Sequence, residues 1–412
     1  MDTKRVVITG MGLLTPVGNT VEEFWNNISK GNIGIAPITR FSTDDMKAKV
    51  AAEVKDFDCE QYFPKKDSKR NDLFSQYAMA AAVSAVSDAG FGETDLEDNV
   101  RVGVLVGSGI GGLKTMEDQV TRLNEKGPNR VAPLFIPMTI GNMAAGNIAL
   151  KLGITGTCAA VVTACASSAH CIGEAFRNIK HGYSDVILAG GSEASITRIG
   201  MAGFTSLTAL SESNDPKRAS IPFDKDRNGF VMGEGASVLV IEELSHALAR
   251  NAKIYAEVVG YGSTCDAHHM TSPDPEGKGA SNAMIMAMNE AGITPVDVSY
   301  VNAHGTGTPS NDLPETIAIK KALGEHAYKV PVTSSKSMTG HMLGAAGSVE
   351  ASVCALVLVN NFAPPTMGLE TPEEGCDLNY LPGKGEKREM QYALSNSFGF
   401  GGHNAVLCLK KY

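Results

Sequence analysis

Thr163-Ala164-Cys165-Ala166-Ser167-Ser168-Ala169-His170 is the stretch from which the rest of the chain is read. A β-branched run, Val161-Val162-Thr163, stops at the cysteine, and small residues continue as a helix toward Gly182. The pattern predicts a strand that ends, and a helix that begins, at Cys165. A thiol at such a junction lies beside unpaired backbone N–H groups and the positive end of the helix dipole. Both favour the thiolate, which is the nucleophilic form. The alanine and serine neighbours let backbone and substrate approach closely. A free cysteine is also commonly a buried structural residue, so partners must be sought elsewhere in the chain.

On both sides of this segment strand-like and helix-like stretches alternate. Residues 5–9 read as a strand, and residues 20–30 as a helix with Thr20 and Glu23 as a capping box and Gly31 as its stop. An alanine-rich helix is predicted over 75–89, a strand over 102–106, a helix over 142–152, and strands over 185–189 and 237–241. The 102–106 run is apolar throughout, as a strand covered on both faces should be. After a charged helix over 242–250 the alternation restarts: strands at 254–259, 300–303, 330–333, 392–396 and 405–409, and helices at 280–291, 315–323 and 343–359. A chain of 412 residues exceeds the size at which one core stops growing. The simplest reading is an α/β protein of two fused halves, 1–250 carrying the cysteine and 251–412 carrying histidine and lysine candidates. The charged run 384–389, entered through Pro382-Gly383, predicts an exposed loop.

Composition narrows the class. Hydrophobic residues make up 43% and charged residues 20%, as in an ordinary globular protein. A net charge of −9 argues against a general nucleic-acid binder. No apolar run suggests a membrane span, and the start reads as a strand and turn rather than a signal peptide. Eight cysteines without a CxxC pair predict reduced thiols and a cytoplasmic location.

Three further segments carry chemistry. In Asn302-Ala303-His304-Gly305-Thr306-Gly307-Thr308 a histidine leaves a strand end into a glycine- and threonine-rich loop, where a polar ligand arm can approach. In Ser335-Lys336-Ser337-Met338-Thr339-Gly340-His341 a lysine and a histidine precede a small-residue helix that carries Glu350. That layout repeats the outline of the Cys165 region. In Ser397-Phe398-Gly399-Phe400-Gly401-Gly402-His403, glycines around Phe400 leave backbone N–H groups free for an oxyanion hole. Gly107-Ser108-Gly109-Ile110-Gly111-Gly112 fits a dinucleotide fingerprint, but no acidic residue follows on a plausible ribose-binding strand. No metal site is expected: His268 and His269 are adjacent and point different ways on any regular element, and no HExxH is present. A cysteine nucleophile with two histidines and a lysine suits acyl transfer joined to a carbanion step. Two neutral imidazoles on one carbonyl oxygen would stabilise an enolate left by decarboxylation, and Lys336, paired with Glu350, would hold them electrostatically.

These segments, in this order and spacing, strongly resemble the β-ketoacyl-[acyl-carrier-protein] synthases, and among them the type 2 elongating enzymes of bacterial fatty-acid synthesis. The resemblance runs from Arg5 to the C-terminus. It implies a thiolase-like fold, two pseudo-symmetric halves in five αβαβα layers, working as a homodimer on acyl and malonyl groups carried by acyl carrier protein. It implies Cys165 as acyl acceptor, His304 and His341 as decarboxylation histidines, Lys336 as the active-site lysine, and Phe400 as a gate whose backbone joins the oxyanion hole. Thr306 and Thr308 match residues on the phosphopantetheine arm, and Phe230 one beside the malonyl site. Ile110, Phe204 and Leu343 match acyl-pocket residues, Ile110 favouring type 2 over type 1. Lys66, Lys69, Arg70 and Arg130 form basic patches suited to an acidic carrier, although Asn129 and Ser213 lack the charge of close relatives. No cofactor is implied beyond the carrier's phosphopantetheine; a structural monovalent cation near Asn302 and Glu350 is left open. A thiolase would need a second cysteine in a Cys-x-Gly context that Cys408 lacks. A type 3 initiating enzyme would present asparagine at His341. A non-catalytic chain-length partner would lack Cys165, and a carrier-binding scaffold would not need Lys336 and both histidines. A polyketide-type ketosynthase of the same mechanism is the remaining alternative.

Overall fold

A computed structural model describes residues 3–92 and 94–412. Ten strands make the main sheet: β1 Val6–Leu14, β2 Val102–Gly107, β3 Cys158–Ala159, β4 Val186–Glu193, β5 Gly235–Glu243, β6 Ala256–Cys265, β7 Val298–Asn302, β8 Val332–Thr333, β9 Tyr392–Gly399 and β10 His403–Lys410. Their order is β8-β7-β9-β10-β6-β1-β5-β4-β2-β3. Read from either outer edge inward, each half repeats one sequence: third strand, second, fourth, fifth, first. The halves meet where β1 and β6 pair antiparallel, Val6 with Val258, Val7 with Glu257 and Ile8 with Ala256. Within each half the second, third and fourth strands are parallel and the last two hairpin-like pairings antiparallel. A doubled αβ unit, expected from the restart of the alternation, is what the sheet displays.

Helices complete the layers. α1 Val21–Lys30 begins at Thr20, whose hydroxyl accepts from the Glu23 amide, while the Glu23 carboxylate takes the amide of Asn19. The outer face of the first half carries α2 Leu73–Asp88 and α3 Met143–Leu152. The outer face of the second carries α5 Lys278–Ala291 and α6 Asp312–Leu323. Between the two halves of the sheet lie α4 Ser167–Lys180 and α7 Ala346–Asn360, each packed on strands of both halves. The result is α, β, α, β, α.

The repeat also shows in the close approaches. A Cβ on Gly12 of β1 would overlap the Ala81 carbonyl of α2, and one on Gly262 of β6 would overlap the Ala283 carbonyl of α5. Each half thus sets its outer helix directly on a Gly-x-Gly strand, with alanines on the helix face. In α7 every residue from Ala346 to Leu358 is buried. The segment Leu343–Asn360 is apolar and long enough to cross a membrane, but 89% of it is buried inside the protein, as its central-layer position requires.

Two local expectations fail. Val161-Val162-Thr163 is not a strand: β3 ends at Ala159, pairs only with β2 at the sheet edge, and leaves Val162 58% exposed. The charged run 384–389 is not wholly loop, since Glu386–Lys387 pairs with Phe362–Ala363 in a small ribbon.

Candidate active site

Cys165 sits in the single tight turn Ala164–Ala166 that opens directly into α4. Ala164 is left-handed, φ +52°, a conformation that costs a non-glycine residue on the order of 1–3 kcal/mol. Ser167 holds it there: its hydroxyl donates to the Ala164 carbonyl at 2.7 Å and accepts from the Thr163 amide at 2.9 Å. The turn aims the sulfur into a cavity of about 340 Å³, also lined by His304, His341, Phe230, Phe204, Leu343, Thr306, Thr308 and Phe400. Cys165 itself is 9% exposed. Burial pushes its thiol up to about 12, against the pull of Lys336. Burial thus opposes the thiolate that the helix start favours, and is the largest influence on this thiol.

Each histidine is fixed through its backbone. At the end of β7 the His304 and Gly305 amides donate to the two carboxylate oxygens of Glu315, both at 2.7 Å. Glu315 lies on α6 and takes the Asn396 side chain on one of the same oxygens at 3.1 Å. The His341 amide donates to the Val231 carbonyl at 2.7 Å. The two rings stand 5.3 Å apart at 86°, with Phe398 against His304 and Phe230 against His341. Burial, and then the charge of Lys336, hold both imidazoles well below their ordinary value. At neutral pH they are therefore uncharged, and each neutral ring still carries one N–H to donate.

Lys336 does not line the cavity. It lies behind the histidines in a buried ion pair with Glu350 of α7. Burial raises the Glu350 carboxyl and Lys336 pulls it back down. Among the described residues the second Glu350 oxygen has no partner, and neither have the buried side-chain oxygens of Asn302, Ser395 and Asn396. Asn302 and Ser395 are direct neighbours across β7 and β9. Buried orphan oxygens of this kind call for an occupant, and an all-oxygen donor set fits a monovalent cation.

At the mouth the Thr306 and Thr308 hydroxyls are 2.9 Å apart. Phe400 lies half-buried, 6.5 Å from the Phe204 ring. A Cβ on Gly399 would fall 3.2 Å from the Cys165 amide nitrogen, so the Phe400 turn packs directly on the cysteine turn. Ile110 is not among the residues lining this cavity; its amide donates to Glu193 at 3.3 Å and the residue is 41% exposed. Lys66, Lys69, Arg70 and Arg130 are exposed, and among the described residues none has an acidic partner. Glu193, Glu315, Phe398 and Asn396 escaped the sequence reading. Glu193 and Glu315 carried no sequence signal, because the backbone amides they accept from are brought to them only by folding.

Residues 3–247 match the family "Beta-ketoacyl synthase, N-terminal domain" and residues 255–370 "Beta-ketoacyl synthase, C-terminal domain". The chain belongs to the β-ketoacyl synthase family. It is 51% identical over 413 residues to the 3-oxoacyl-[acyl-carrier-protein] synthase 2 of Synechocystis sp., covering 100% of this chain and 99% of that protein. It is 51% identical over 414 residues to the same-named protein of Vibrio cholerae, covering all of both. Among solved structures, the ishigamide ketosynthase/chain length factor superposes with a TM-score of 0.94 at 34% identity, covering 100% of each chain. A type II polyketide ketosynthase in complex with its acyl-carrier protein gives a TM-score of 0.91 at 33% identity, again over 100% of each chain. The fold is thiolase-like, with two pseudo-symmetric halves, and the activity is that of a condensing β-ketoacyl synthase.

Proposed function

We propose that this β-ketoacyl synthase elongates fatty acyl chains, joining an acyl primer on Cys165 to malonyl-carrier protein and releasing 3-oxoacyl-carrier, CO2 and free carrier. The observation that carries the reading is the one cavity shared by Cys165, two neutral imidazoles and the Phe400 turn.

The Cys165 sulfur attacks the primer thioester, the amides of Cys165 and Phe400 hold the tetrahedral oxyanion, and the carrier thiol leaves. The product is a neutral thioester, which a site that disfavours charge on sulfur accommodates well. His304 and His341 then donate to the malonyl thioester oxygen. The bond to the carboxylate breaks, CO2 departs, and its electron pair becomes the enolate. The enolate carbon attacks the Cys165 thioester, a carbon–carbon bond forms, and the sulfur leaves and regains a proton. Thr306 and Thr308 bind the phosphopantetheine arm, Phe230 borders the malonyl group, and Phe204 and Leu343 border the acyl chain. Lys336, held by Glu350, keeps the imidazoles uncharged. Asn302, Ser395, Asn396 and Glu350 would hold a monovalent cation, supplying fixed positive charge beside the Glu350 carboxylate.

The proposal extends to assembly and setting. Exposed, unpaired Lys66, Lys69, Arg70 and Arg130 suit an acidic carrier. A homodimer is supported by the open edge of β3 and by exposed apolar side chains, Val162 just beyond it at 58% and Ile136 at 59%. All eight cysteines are free, which suits a reducing cytoplasm. We divide the halves at 250–251, just after the helix Leu244–Ala249.

Polyketide assembly by the same chemistry is the second reading, favoured by the likeness to polyketide ketosynthases at 33–34% identity; the 51% identity to fatty-acid-type relatives weighs against it. The test is purified protein with malonyl-carrier and a ladder of saturated acyl-carriers. One 3-oxoacyl product and one CO2 per turnover are expected. Failure with every saturated primer would overturn the proposal, and unreduced products of several successive condensations would select the polyketide reading.

A further inference from the structure

We propose that Glu193 is a positioning residue that sets acyl-chain selectivity from behind the cavity, by pinning the Leu343 turn to the loop after β2. The proposal rests on the condensing function above and adds a determinant of which primers are used.

Glu193 ends β4, is fully buried, and among the described residues has no cationic partner. Its charge is met entirely by donors. One oxygen accepts from the Gly109 amide at 2.8 Å and the Gly344 amide at 3.0 Å. The other accepts from the Ile110 amide at 3.3 Å and from the Ser108 and Ser195 hydroxyls at 3.2 and 3.0 Å. Gly109 belongs to the first half and Gly344 to the second, so one carboxylate stitches the two halves where their loops cross.

The crossing has no room for side chains. A Cβ on Gly344 would overlap the Gly109 amide, and a Cβ on Gly109 would lie 2.8 Å from the Glu193 carboxylate and 3.5 Å from the Ala164 carbonyl. The stitched point therefore backs onto the cysteine turn itself. Leu343, immediately before Gly344, is left-handed at φ +47°. A leucine does not hold that conformation unaided, and the bond from the next amide to Glu193 is what fixes it. Leu343 lines the cavity and packs in one apolar cluster with Cys165, Phe230, Ile196 and Met201. Glutamate is specifically required: three backbone N–H groups converge, and glutamine would turn one of its two polar ends into a further donor.

A long primer must run from Cys165 along the Leu343 wall, whereas a four-carbon primer ends near the sulfur. In Glu193→Gln, kcat/KM for 12- to 14-carbon acyl-carriers should fall at least tenfold relative to the four-carbon primer. Malonyl decarboxylation, on the histidine side, should stay within threefold. Ser195→Ala, which removes a single hydroxyl donor and leaves the Gly344 bond intact, should shift the same ratio in the same direction by less, and serves if the first variant does not fold. Equal loss at all chain lengths, or an unchanged ratio in both variants, would overturn the proposal while leaving the condensing reading intact. A wild-type protein that condenses no primer would instead overturn the condensing reading, and this proposal with it.

Discussion

Lys336→Met removes the positive charge behind the histidines while keeping most of the side chain's length. It strands the Glu350 carboxylate, which is buried with Lys336 as its only cationic contact among the described residues. Breaking a buried pair by deleting one partner costs about 3–5 kcal/mol. At about 1.4 kcal/mol per pKa unit, that equals a further rise of roughly two to four units in the Glu350 carboxyl. The sign follows from linkage. A carboxyl whose folded value lies above its unfolded value gives stability that is full below the unfolded value and lost as pH rises through the folded one. The variant should therefore lie close to wild type near pH 5 and be most destabilised near pH 8, as read by denaturant unfolding at both pH values. Lys336→Met/Glu350→Gln should recover more than half of the loss at pH 8. Lys336 also depresses both histidines, so the acid limb of malonyl decarboxylation should move to higher pH in the single variant. A cost below about 1 kcal/mol, equal at both pH values and not relieved in the double variant, would refute the argument.

Cys165→Gln should abolish condensation yet leave malonyl decarboxylation measurable, since His304 and His341 remain; loss of both in a folded protein would contradict the division of labour. Alkylation of Cys165 by an acyl-mimicking electrophile should precede that of the other seven cysteines and speed up about tenfold per pH unit from pH 7 to 9, because its thiol is pushed up to about 12. Peptide mapping by mass spectrometry reads both order and rate. Gly173→Ala would set a Cβ into the Tyr261 ring between α4 and β6 and should cost about 1–3 kcal/mol in thermal unfolding. Val162→Asp should yield monomers by sedimentation; an unchanged dimer would move the interface away from the β3 edge.

The doubled αβ order was legible because buried strands such as 102–106 are apolar on both faces and helices such as 75–89 are marked by alanine and a closing glycine. The cysteine, both histidines and Lys336 were legible because each interrupts a regular pattern beside glycine or serine. Val161-Val162-Thr163 misled because β-branching reports a context-dependent propensity, while here pairing with β2 stops at Ala159. At Cys165 the sequence displays the helix start that favours a thiolate but not the burial that opposes it. Glu193 and Glu315 were invisible for a related reason: their partners are backbone amides of Gly109, Gly344, His304 and Gly305, brought to them only by folding.

The central pair α4 and α7, each gripped by both sheets, restricts how this enzyme can breathe. Swinging the halves apart would strip water-free surface from side chains such as Val349, Val353 and Ile172, at about 1.5–3 kcal/mol for each large aliphatic. The two halves and their central helices should therefore move as one body. Under the proposed function, primer exchange would then fall to small excursions at the rim of the cavity, where Phe400 sits between glycines.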